Sequence, residues 1–357
     1  MTKIFKKSFG FLKNGAEVHA YVLCDGEGEV TVLSLGGALQ SIKVPDKNGQ
    51  LTDVVLGYDT PQEYLEKDGY LGLLIGRFAN RIDKGNLTID GVSYPLYCND
   101  RGNHLHGGKQ GFDKKLWKAE IIKDKEGNEE LSLSLFSPDG EENYPGNLKI
   151  QVIYSFVDGQ LKIDYLALCD KKTVINLTNH AYFNLDGAGE ENSVFSHVLW
   201  LDSPCILPTD DTMIPYGDFK RVQGTPFDFN LPKTLGEADA QKENDEDMAK
   251  GKGIDHCYVF KKDRDRGNPF AILYSKQTGI EMQCFTTQPS VQVYAGCFLN
   301  GEGKGGKKYG RGGAVCLETQ ALPNNVNIPA YAQYGSSVYD AGEVYHYITC
   351  YAFGVRK

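Results

Sequence analysis

A single acidic residue interrupts an apolar strand near the C-terminal end of the chain. Glu318 follows the run Ala314-Val315-Cys316-Leu317, which has the composition of a buried strand. An unpaired carboxylate is costly to bury, so Glu318 needs either hydrogen-bonding partners or a chemical role. General acid–base catalysis uses carboxyl groups whose pKa is brought near the operating pH. We therefore expect Glu318 to be a functional residue.

The densest group of hydrogen-bonding side chains lies in residues 176–185. This segment holds His180, Tyr182 and three asparagines among apolar neighbours. That is too many polar groups for a core strand and too many apolar ones for a surface loop. The mixture is typical of a strand end that lines a ligand site.

Shorter motifs elsewhere give weaker signals. Asn80 and Arg81 begin a turn, and His106 precedes two glycines, where the backbone can come close to a ligand. Asp255 in Ile-Asp-His and Gln292 in Gln-Pro-Ser-Val-Gln are weak signals by themselves. Taken singly, each of these residues fits a structural role as well as a binding role.

The elements that must position these side chains are strands. Apolar and polar residues alternate with a period of two through most of the chain, and short Gly, Asp and Asn turns separate the runs. Clear examples are residues 131–136, 152–156, 161–167, 271–274 and 280–285. We predict an all-β fold, a large antiparallel β-sandwich. A single domain over residues 1–357 is expected, because neither an internal repeat nor an interdomain linker is visible.

Helical signals are sparse. Thr60 as a cap and Pro61 at the first helical position predict a short helix over residues 60–67. Residues 233–253 lack an apolar stripe, which predicts a solvated loop with at most a frayed helical turn. Residues 300–313 hold seven glycines and four basic residues, which predicts a flexible surface loop. Its spacing does not match a phosphate-binding loop.

Composition restricts the possible partners. The net charge of -9 and pI near 5.4 argue against nucleic acid or an anionic membrane as a partner. No apolar run is long enough to span a bilayer, and the N-terminal residues do not resemble a signal peptide, so we expect a cytoplasmic protein. The nine cysteines show no metal spacing and are predicted to be buried free thiols. We expect no cofactor and no metal.

Six motifs, taken together and in order, resemble the signature set of the aldose 1-epimerase (galactose mutarotase) family. They are Asn-Arg-Ile at 80–82, Leu-His-Gly-Gly at 105–108, Asn-His-Ala-Tyr-Phe-Asn-Leu at 179–185, Ile-Asp-His at 254–256, Gln-Pro-x-Val-Gln at 288–292 and Leu-Glu-Thr-Gln at 317–320. The resemblance implies a β-sandwich with an open polar cleft, with Glu318 as general base and His180 as general acid. It also implies that sugar hydroxyls are bound by Asn80, Arg81, His106, Tyr182, Asp255 and Gln292.

The implied reaction is the interconversion of the α and β anomers of a free aldohexose such as galactose or glucose. A base removes the proton of the C1 hydroxyl while an acid protonates the ring oxygen, and the opened ring recloses on the other face. The partner is then a small-molecule aldose, and the chain is expected to be a monomer or a weak homodimer. Arg77 and His256, which neighbour site residues, are expected to be structural.

Three other functions remain open at this stage. A hexose-phosphate epimerase on the same scaffold would need several arginines near the site, where only Arg77 and Arg81 cluster. A glycoside hydrolase would need two carboxylates, for which Glu318 and Asp255 are the candidates. The third alternative is a sugar-binding module without catalytic activity.

Overall fold

Strands dominate the structure, a computed structural model that describes residues 1–189 and 192–356. The prediction of an all-β fold built from large antiparallel sheets is confirmed. The α-helices in this part of the chain are short and comprise Pro61–Glu66, Leu235–Asp239 and Glu246–Lys250.

The largest sheet has nine strands, all paired antiparallel. In spatial order they are Lys118–Lys123, Glu129–Ser137, Leu148–Val157, Gln160–Cys169, Val344–Val355, Ile280–Thr286, Ala271–Tyr274, Val198–Leu201 and Lys233–Thr234. We call it the large sheet. Its inward-facing residues supply much of the main hydrophobic core.

A six-stranded antiparallel sheet packs on the large sheet, and we call it the site sheet. In spatial order its strands are Tyr182–Phe183, Val315–Gln320, Ser290–Tyr294, Asp255–Val259, Cys205–Ile206 and Lys220–Arg221. Leu317 faces the main core, and the Tyr351 hydroxyl of the large sheet donates to its carbonyl oxygen at 3.0 Å. Because side chains alternate along a strand, Cys316 and Glu318 face the opposite side.

The remaining strands form a five-stranded N-terminal sheet and several ribbons. The N-terminal sheet is a meander of Lys3–Phe11, Glu17–Cys24, Glu29–Leu33, Leu39–Pro45 and Leu51–Asp53. The ribbons pair Arg81–Ile82 with His104–Leu105, Leu74–Ile75 with Thr178–Asn179, Asn86–Ile89 with Val92–Pro95, Thr173–Val174 with Val338–Tyr339, and Gly301–Glu302 with Lys308–Tyr309. Two of these ribbons carry the loops that hold Asn80, His106 and His180.

The strands expected from the alternating pattern are all present. Each of the five runs quoted from the sequence lies inside a strand of the large sheet. The hairpin between Leu148–Val157 and Gln160–Cys169 turns at Asp158 and Gly159, whose φ angles are 49° and 72°. Two successive positive φ angles match the twist of the flanking strands, as a two-residue hairpin requires.

The helix expected near residue 60 is also present. The Thr60 side chain accepts a hydrogen bond from the Glu63 backbone N–H, and the Glu63 carboxylate accepts from the Thr60 backbone N–H. This reciprocal capping box satisfies two donors that the first turn of a helix leaves free.

The loop prediction for residues 233–253 is wrong. Two short helices form there, with Thr234 and Asp245 as their N-caps. Three apolar side chains, Leu235, Ala238 and Met248, are buried in the main core. The helices form because these few anchors and the two caps suffice when the rest of the domain supplies a surface to pack on.

Residues 300–313 lie largely at the surface, as predicted, but they form regular structure rather than an irregular loop. A short hairpin and a turn of 3₁₀ helix occupy the segment. The Lys304 ammonium donates to Asp53 at 2.7 Å and to the carbonyl oxygens of Gln40 and Val55, at 2.7 and 2.8 Å. A fully paired lysine therefore fixes this segment to the N-terminal sheet.

The cysteine prediction is confirmed only in part. All nine cysteines are free, but Cys98 is exposed, and Cys24 and Cys350 are half-buried. No helix within the described residues has the length and apolar composition needed to cross a bilayer.

Candidate active site

Two neighbouring rows of the site sheet bring candidate residues together on the face opposite the main core. In one row, Tyr182, Cys316, Tyr294 and Asp255 are successive register partners across four strands. In the next row, Gln292 pairs with Glu318. Directly opposed residues of an antiparallel pair project to the same face, so the register places these side chains side by side.

The centre of the site is a buried pair formed by His180 and Glu318. His180 Nε2 lies 3.5 Å from Glu318 Oε1, and the two residues are 5% and 2% exposed. The second carboxylate oxygen, Oε2, is buried without a hydrogen-bonding partner. A buried carboxyl with an unused oxygen is costly for the fold, and such groups concentrate at functional sites.

Burial shifts the pKa values of His180 and Glu318 in opposite directions. It lowers the pKa of His180 to about 4. It raises the pKa of Glu318 well above its ordinary value, with a further contribution from the Asp255 charge, while Arg81 acts in the opposite sense. Between these two shifted pKa values the pair holds one titratable proton, which burial favours on the carboxyl group rather than on the imidazole.

His106 is held by two backbone bonds to Asn80. The Asn80 N–H donates to His106 Nδ1 at 3.1 Å, and the His106 N–H donates to the Asn80 carbonyl at 3.1 Å. Because Nδ1 is an acceptor, the neutral ring carries its proton on Nε2. Burial lowers the pKa of His106 well below its ordinary value, so this ring is a neutral Nε2–H donor.

The turn at Asn80 requires an unusual backbone geometry. Asn80 has a φ of 63° and His106 a φ of 52°. The Asn80 side-chain oxygen accepts from the Arg81 N–H at 2.9 Å, a local bond that supports the left-handed conformation. Asn80, which the sequence suggests as a binding residue, therefore also sets the direction of Arg81.

Arg81 is oriented by Asp100. Its Nε donates to Asp100 Oδ2 at 2.8 Å, and the Arg81 side chain is 12% exposed. One edge of the guanidinium is used by this bond, and the terminal nitrogens remain for a ligand.

Asp255 and Gln292 form a second polar pair. The Gln292 Nε2 donates to Asp255 Oδ1 at 2.7 Å. Gln292 is buried whereas Asp255 is half-buried, and their mutual bond leaves the second Asp255 carboxylate oxygen and the Gln292 amide oxygen as further acceptors.

Aromatic rings enclose the two histidines. The His180 ring is stacked on Tyr182 at 5.0 Å between centroids, and Tyr70 lies 5.9 Å from His180 and 4.8 Å from His106. Tyr294 contacts Tyr182 edge to face at 6.0 Å. Tyr70 and Tyr294 were missed from the sequence. Tyr294 follows Gln292 at the same-face spacing of two, a signal that could have found it, whereas Tyr70 follows a Lys-Asp-Gly turn that carries no motif.

The eight candidate residues named from the sequence thus lie in one connected cluster. Arg77 and His256 do not join it. Arg77 is buried, and its guanidinium donates to the carbonyl oxygens of Pro145 and Gly146, both at 2.9 Å. His256 is buried against Phe227, with 4.6 Å between ring centroids. These contacts agree with the structural roles expected for both residues.

The cluster also has the donor set of a metal site. Ligand atoms of His106, His180 and Glu318 lie within 4.8 Å of one another. A metal on His106 Nε2 would force the ring proton onto Nδ1, where it would meet the Asn80 N–H. That leaves two donors facing each other, so the backbone of Asn80 disfavours metal binding here.

Comparison with known proteins places the chain in a family. A family model described as aldose 1-epimerase matches residues 19–352. The chain belongs to the aldose 1-epimerase family. Galactose mutarotase from Sus scrofa is 37% identical over 99% of this chain and its own whole length. Aldose 1-epimerase from Escherichia coli is 34% identical over 91% of each chain.

Solved structures agree with this assignment. The crystal structure of galactose 1-epimerase from Lactobacillus acidophilus covers both chains completely, with a TM-score of 0.87 and 27% identity. An aldose epimerase homologue from C. elegans gives a TM-score of 0.83 and 29% identity over both complete chains. This aldose 1-epimerase family member therefore shares the fold of those proteins along its whole length.

Proposed function

We propose that this protein is an aldose 1-epimerase that interconverts the α and β anomers of free aldohexoses such as galactose and glucose. The observation that carries the proposal is the buried His180–Glu318 pair, with its two reactive atoms 3.5 Å apart. Mutarotation needs one proton removed from the C1 hydroxyl and one delivered to the ring oxygen. These two oxygens are bonded to the same carbon, so the acid and the base must lie close together.

The proposed proton transfers balance within the pair. When the closed sugar binds, the proton that the free pair holds on Glu318 moves to His180 Nε2, so that Glu318 is the carboxylate and His180 the imidazolium. Glu318 takes the C1 hydroxyl proton, and His180 Nε2 gives its proton to the ring oxygen as the C1–O5 bond breaks. The open aldehyde faces a neutral carboxyl and a neutral imidazole. Rotation about C1–C2 and the reverse transfers close the other anomer.

The remaining residues are proposed to bind and orient the sugar. Arg81 and the Nε2–H of His106 donate to hydroxyl oxygens and stabilise negative charge that develops during ring opening. Asp255 accepts from sugar hydroxyls, and Gln292 holds Asp255 in place. Asn80 fixes Arg81 and His106, and Tyr182 supports the His180 ring. In this proposal the sugar is held by direct hydrogen bonds to protein side chains, and no cofactor or metal takes part.

The site supports a free sugar better than a phosphorylated one. The terminal nitrogens of Arg77 donate to the Pro145 and Gly146 carbonyls and to the Ser137 hydroxyl, away from the cluster, so Arg81 is the arginine available within it. A phosphate normally requires several cationic partners. The Asp255 carboxylate is bonded to Gln292, which argues against the free carboxylate pair that a glycoside hydrolase uses.

The test is an anomerisation assay on freshly dissolved α-galactose and α-glucose, followed by polarimetry or with a dehydrogenase specific for the β-anomer. We expect the purified protein to accelerate the approach to equilibrium, and free hexoses to give a higher kcat/KM than their 6-phosphates. Binding of galactose without acceleration would identify a sugar-binding module instead. A higher kcat/KM for a 6-phosphate would identify a sugar-phosphate epimerase.

We further propose a cytoplasmic protein that acts as a monomer or a weak homodimer, organised as a single domain over residues 1–357. The nine free cysteines support a reducing compartment. Size-exclusion chromatography with light scattering across a concentration series tests the oligomeric state.

A further inference from the structure

The catalytic imidazole lies between two alternate residues of a single strand. His180 Nδ1 is 3.5 Å from Cys316 Sγ, and His180 Nε2 is 3.5 Å from Glu318 Oε1. Cys316 and Glu318 are two positions apart on Val315–Gln320 and so project to the same face. Cys316 is completely buried, so water does not compete for this contact.

The protonation state of Cys316 is set by its surroundings. Burial raises the pKa of the thiol well above its ordinary value, and the charges of Glu318 and Asp255 act in the same direction. The group therefore stays a neutral thiol, which can either accept the Nδ1–H of His180 or donate its own proton to Nδ1.

The proton balance of the reaction distinguishes these two arrangements. If the thiol donated, the neutral ring would carry its proton on Nε2 and could accept no further proton there. It would then become an imidazolium only if Nδ1 took the proton of the thiol. That would create a buried thiolate, which this environment opposes. If the sulfur accepts, the Nδ1 proton stays in place throughout, and Nε2 alone gains and loses the transferred proton.

We propose that Cys316 is a positioning residue, whose sulfur accepts the Nδ1–H of His180 and so leaves Nε2 as the nitrogen that exchanges the proton with the sugar and Glu318. This inference rests on the proposed function, because it concerns the acid of that reaction. Sulfur is a weak acceptor and does not raise the proton affinity of the ring as a carboxylate would. His180 thus stays acidic enough to protonate a sugar ring oxygen, a very weak base.

Cys316 is the side chain that contacts Nδ1, and the aromatic side chains around the ring pack on it without a hydrogen bond to that nitrogen. The backbone of His180 itself also hydrogen-bonds the ring and raises its pKa, against the larger effect of burial. Tyr182 and Tyr70 lie parallel to the His180 plane within 22°, and His106 meets it edge to face. The nearest charges, Arg81 and Asp255, act on Glu318 rather than bond the imidazole. The titratable and charged groups that surround the His180–Glu318 pair are thus Tyr70, Arg81, His106, Tyr182, Asp255 and Cys316, with Cys257 and Tyr351 also close to Glu318.

The tautomer is measured directly on the wild-type protein. Nitrogen NMR of the protein labelled at histidine, with His180 assigned by comparison with His180→Asn, reports which ring nitrogen carries the proton. We expect the neutral His180 ring to be protonated at Nδ1 with an unprotonated Nε2. A ring protonated at Nε2 alone overturns the proposal, whatever the activity of any variant.

Kinetics of Cys316→Ala and Cys316→Ser then test the role in catalysis. Removing one weak hydrogen bond from the catalytic ring should lower kcat by about tenfold in Cys316→Ala while KM changes by less than about twofold. Cys316→Ser should recover part of the loss, because a hydroxyl can accept the same proton. The pKa of His180 in NMR titrations should fall in Cys316→Ala and rise in Cys316→Ser, a pair of opposite shifts that a packing defect would not produce.

The control is Cys169→Ser, which alters a buried thiol bonded to the Asp340 carbonyl at 3.2 Å, on a strand of the large sheet. It should leave kcat and the pKa of His180 unchanged.

A Cys316→Ala enzyme with wild-type kcat and an unshifted His180 pKa overturns the proposal. If wild type itself does not accelerate anomerisation, the proposed function fails, while the NMR experiment still reports the tautomer. The same NMR experiment decides the question if the Cys316 variants do not fold.

Discussion

His180 and Glu318 face each other across 3.5 Å in an environment from which solvent is largely excluded. This separation is longer than a strong charge-assisted hydrogen bond. The proposed acid and base are thus close enough to serve two oxygens on one sugar carbon, and they do not form a strong hydrogen bond with each other.

Neutralising the base should affect turnover rather than binding. Glu318→Gln keeps the side-chain shape but removes the proton acceptor, and His180→Asn removes the acid, so each should lower kcat by at least ~10². The double variant should be little worse than the poorer single one, because loss of either transfer already prevents ring opening. Polarimetry on fresh α-galactose measures the losses, with Glu126→Gln, an exposed turn residue, as the control. A folded Glu318→Gln enzyme within about threefold of wild-type kcat would falsify the mechanism.

The same substitution should make the protein more stable. The raised pKa of Glu318 means that the folded state binds a proton more tightly than the unfolded state, so stability falls as pH rises from the ordinary glutamic acid range toward that raised pKa. Glutamine removes this cost, and we expect Tm at neutral pH to increase by about 2 °C or more. Differential scanning calorimetry of Glu318→Gln and Glu126→Gln measures it, and a lower Tm for Glu318→Gln contradicts the burial argument.

The pH dependence of kcat should be flat through neutrality. The active His180–Glu318 pair holds one titratable proton. Below the His180 pKa of about 4 the pair gains a second proton, and above the raised pKa of Glu318 it loses the first. Activity should fall only outside this window, once the buffer-catalysed background is subtracted. A limb centred near the ordinary histidine pKa of about 6.5 would show that His180 titrates as an exposed imidazole.

Variants at Arg81 and its neighbours should distinguish the effect of the Arg81 charge on activity from the effect of its orientation. Arg81→Ala should raise KM and lower kcat together, because the guanidinium is proposed to contact the sugar in ground and transition states alike. Asp100→Asn should lower kcat/KM by about fivefold, since it weakens only the bond that orients Arg81. Arg101→Ala is the matched control, as it removes a neighbouring exposed cation, and it should stay within about twofold of wild type. Equal losses in Arg101→Ala and Arg81→Ala would point to a general charge effect.

Activity should survive exhaustive chelation. The proposed chemistry is proton transfer, and the Asn80 N–H disfavours a metal ligand at His106. Steady-state rates before and after dialysis against a chelator provide the measurement. Loss of activity that a divalent ion restores would contradict both the mechanism and the assigned tautomer of His106.

The sequence predicts the strands well because their pattern is local. The alternation in residues 131–136 or 161–167 depends only on which side of a sheet each residue faces, and the Asp-Gly turn needs no distant partner. Leu235 and Met248 could not be recognised in the same way, since a few isolated apolar residues become anchors only when a distant surface covers them. Lys304 is likewise predicted to be exposed, because its acceptors belong to the distant N-terminal sheet.

The candidate site residues are a different case. An ordered set of motifs identifies these residues in the sequence, and their roles are proposals. The long-range contacts could not be read from those motifs: the Asn80 N–H on His106, Asp100 on Arg81, and Cys316 beside His180. Each depends on a turn or a strand register that joins residues 19 to 136 positions apart. Tyr70 has no sequence signal at all and is found only through its contacts with both histidines.

The alternation of the strand Val315–Gln320 makes the site far more sensitive to chain length than to side-chain identity. Deleting one residue before Glu318 would turn its carboxylate into the main core and Leu317 into the site. In a library of single-residue insertions and deletions, this strand should therefore be intolerant at every position, even where individual substitutions are accepted. Lineages of this enzyme are then free to change length in surface turns, such as the one at Gly127, but not along the strand that carries the base.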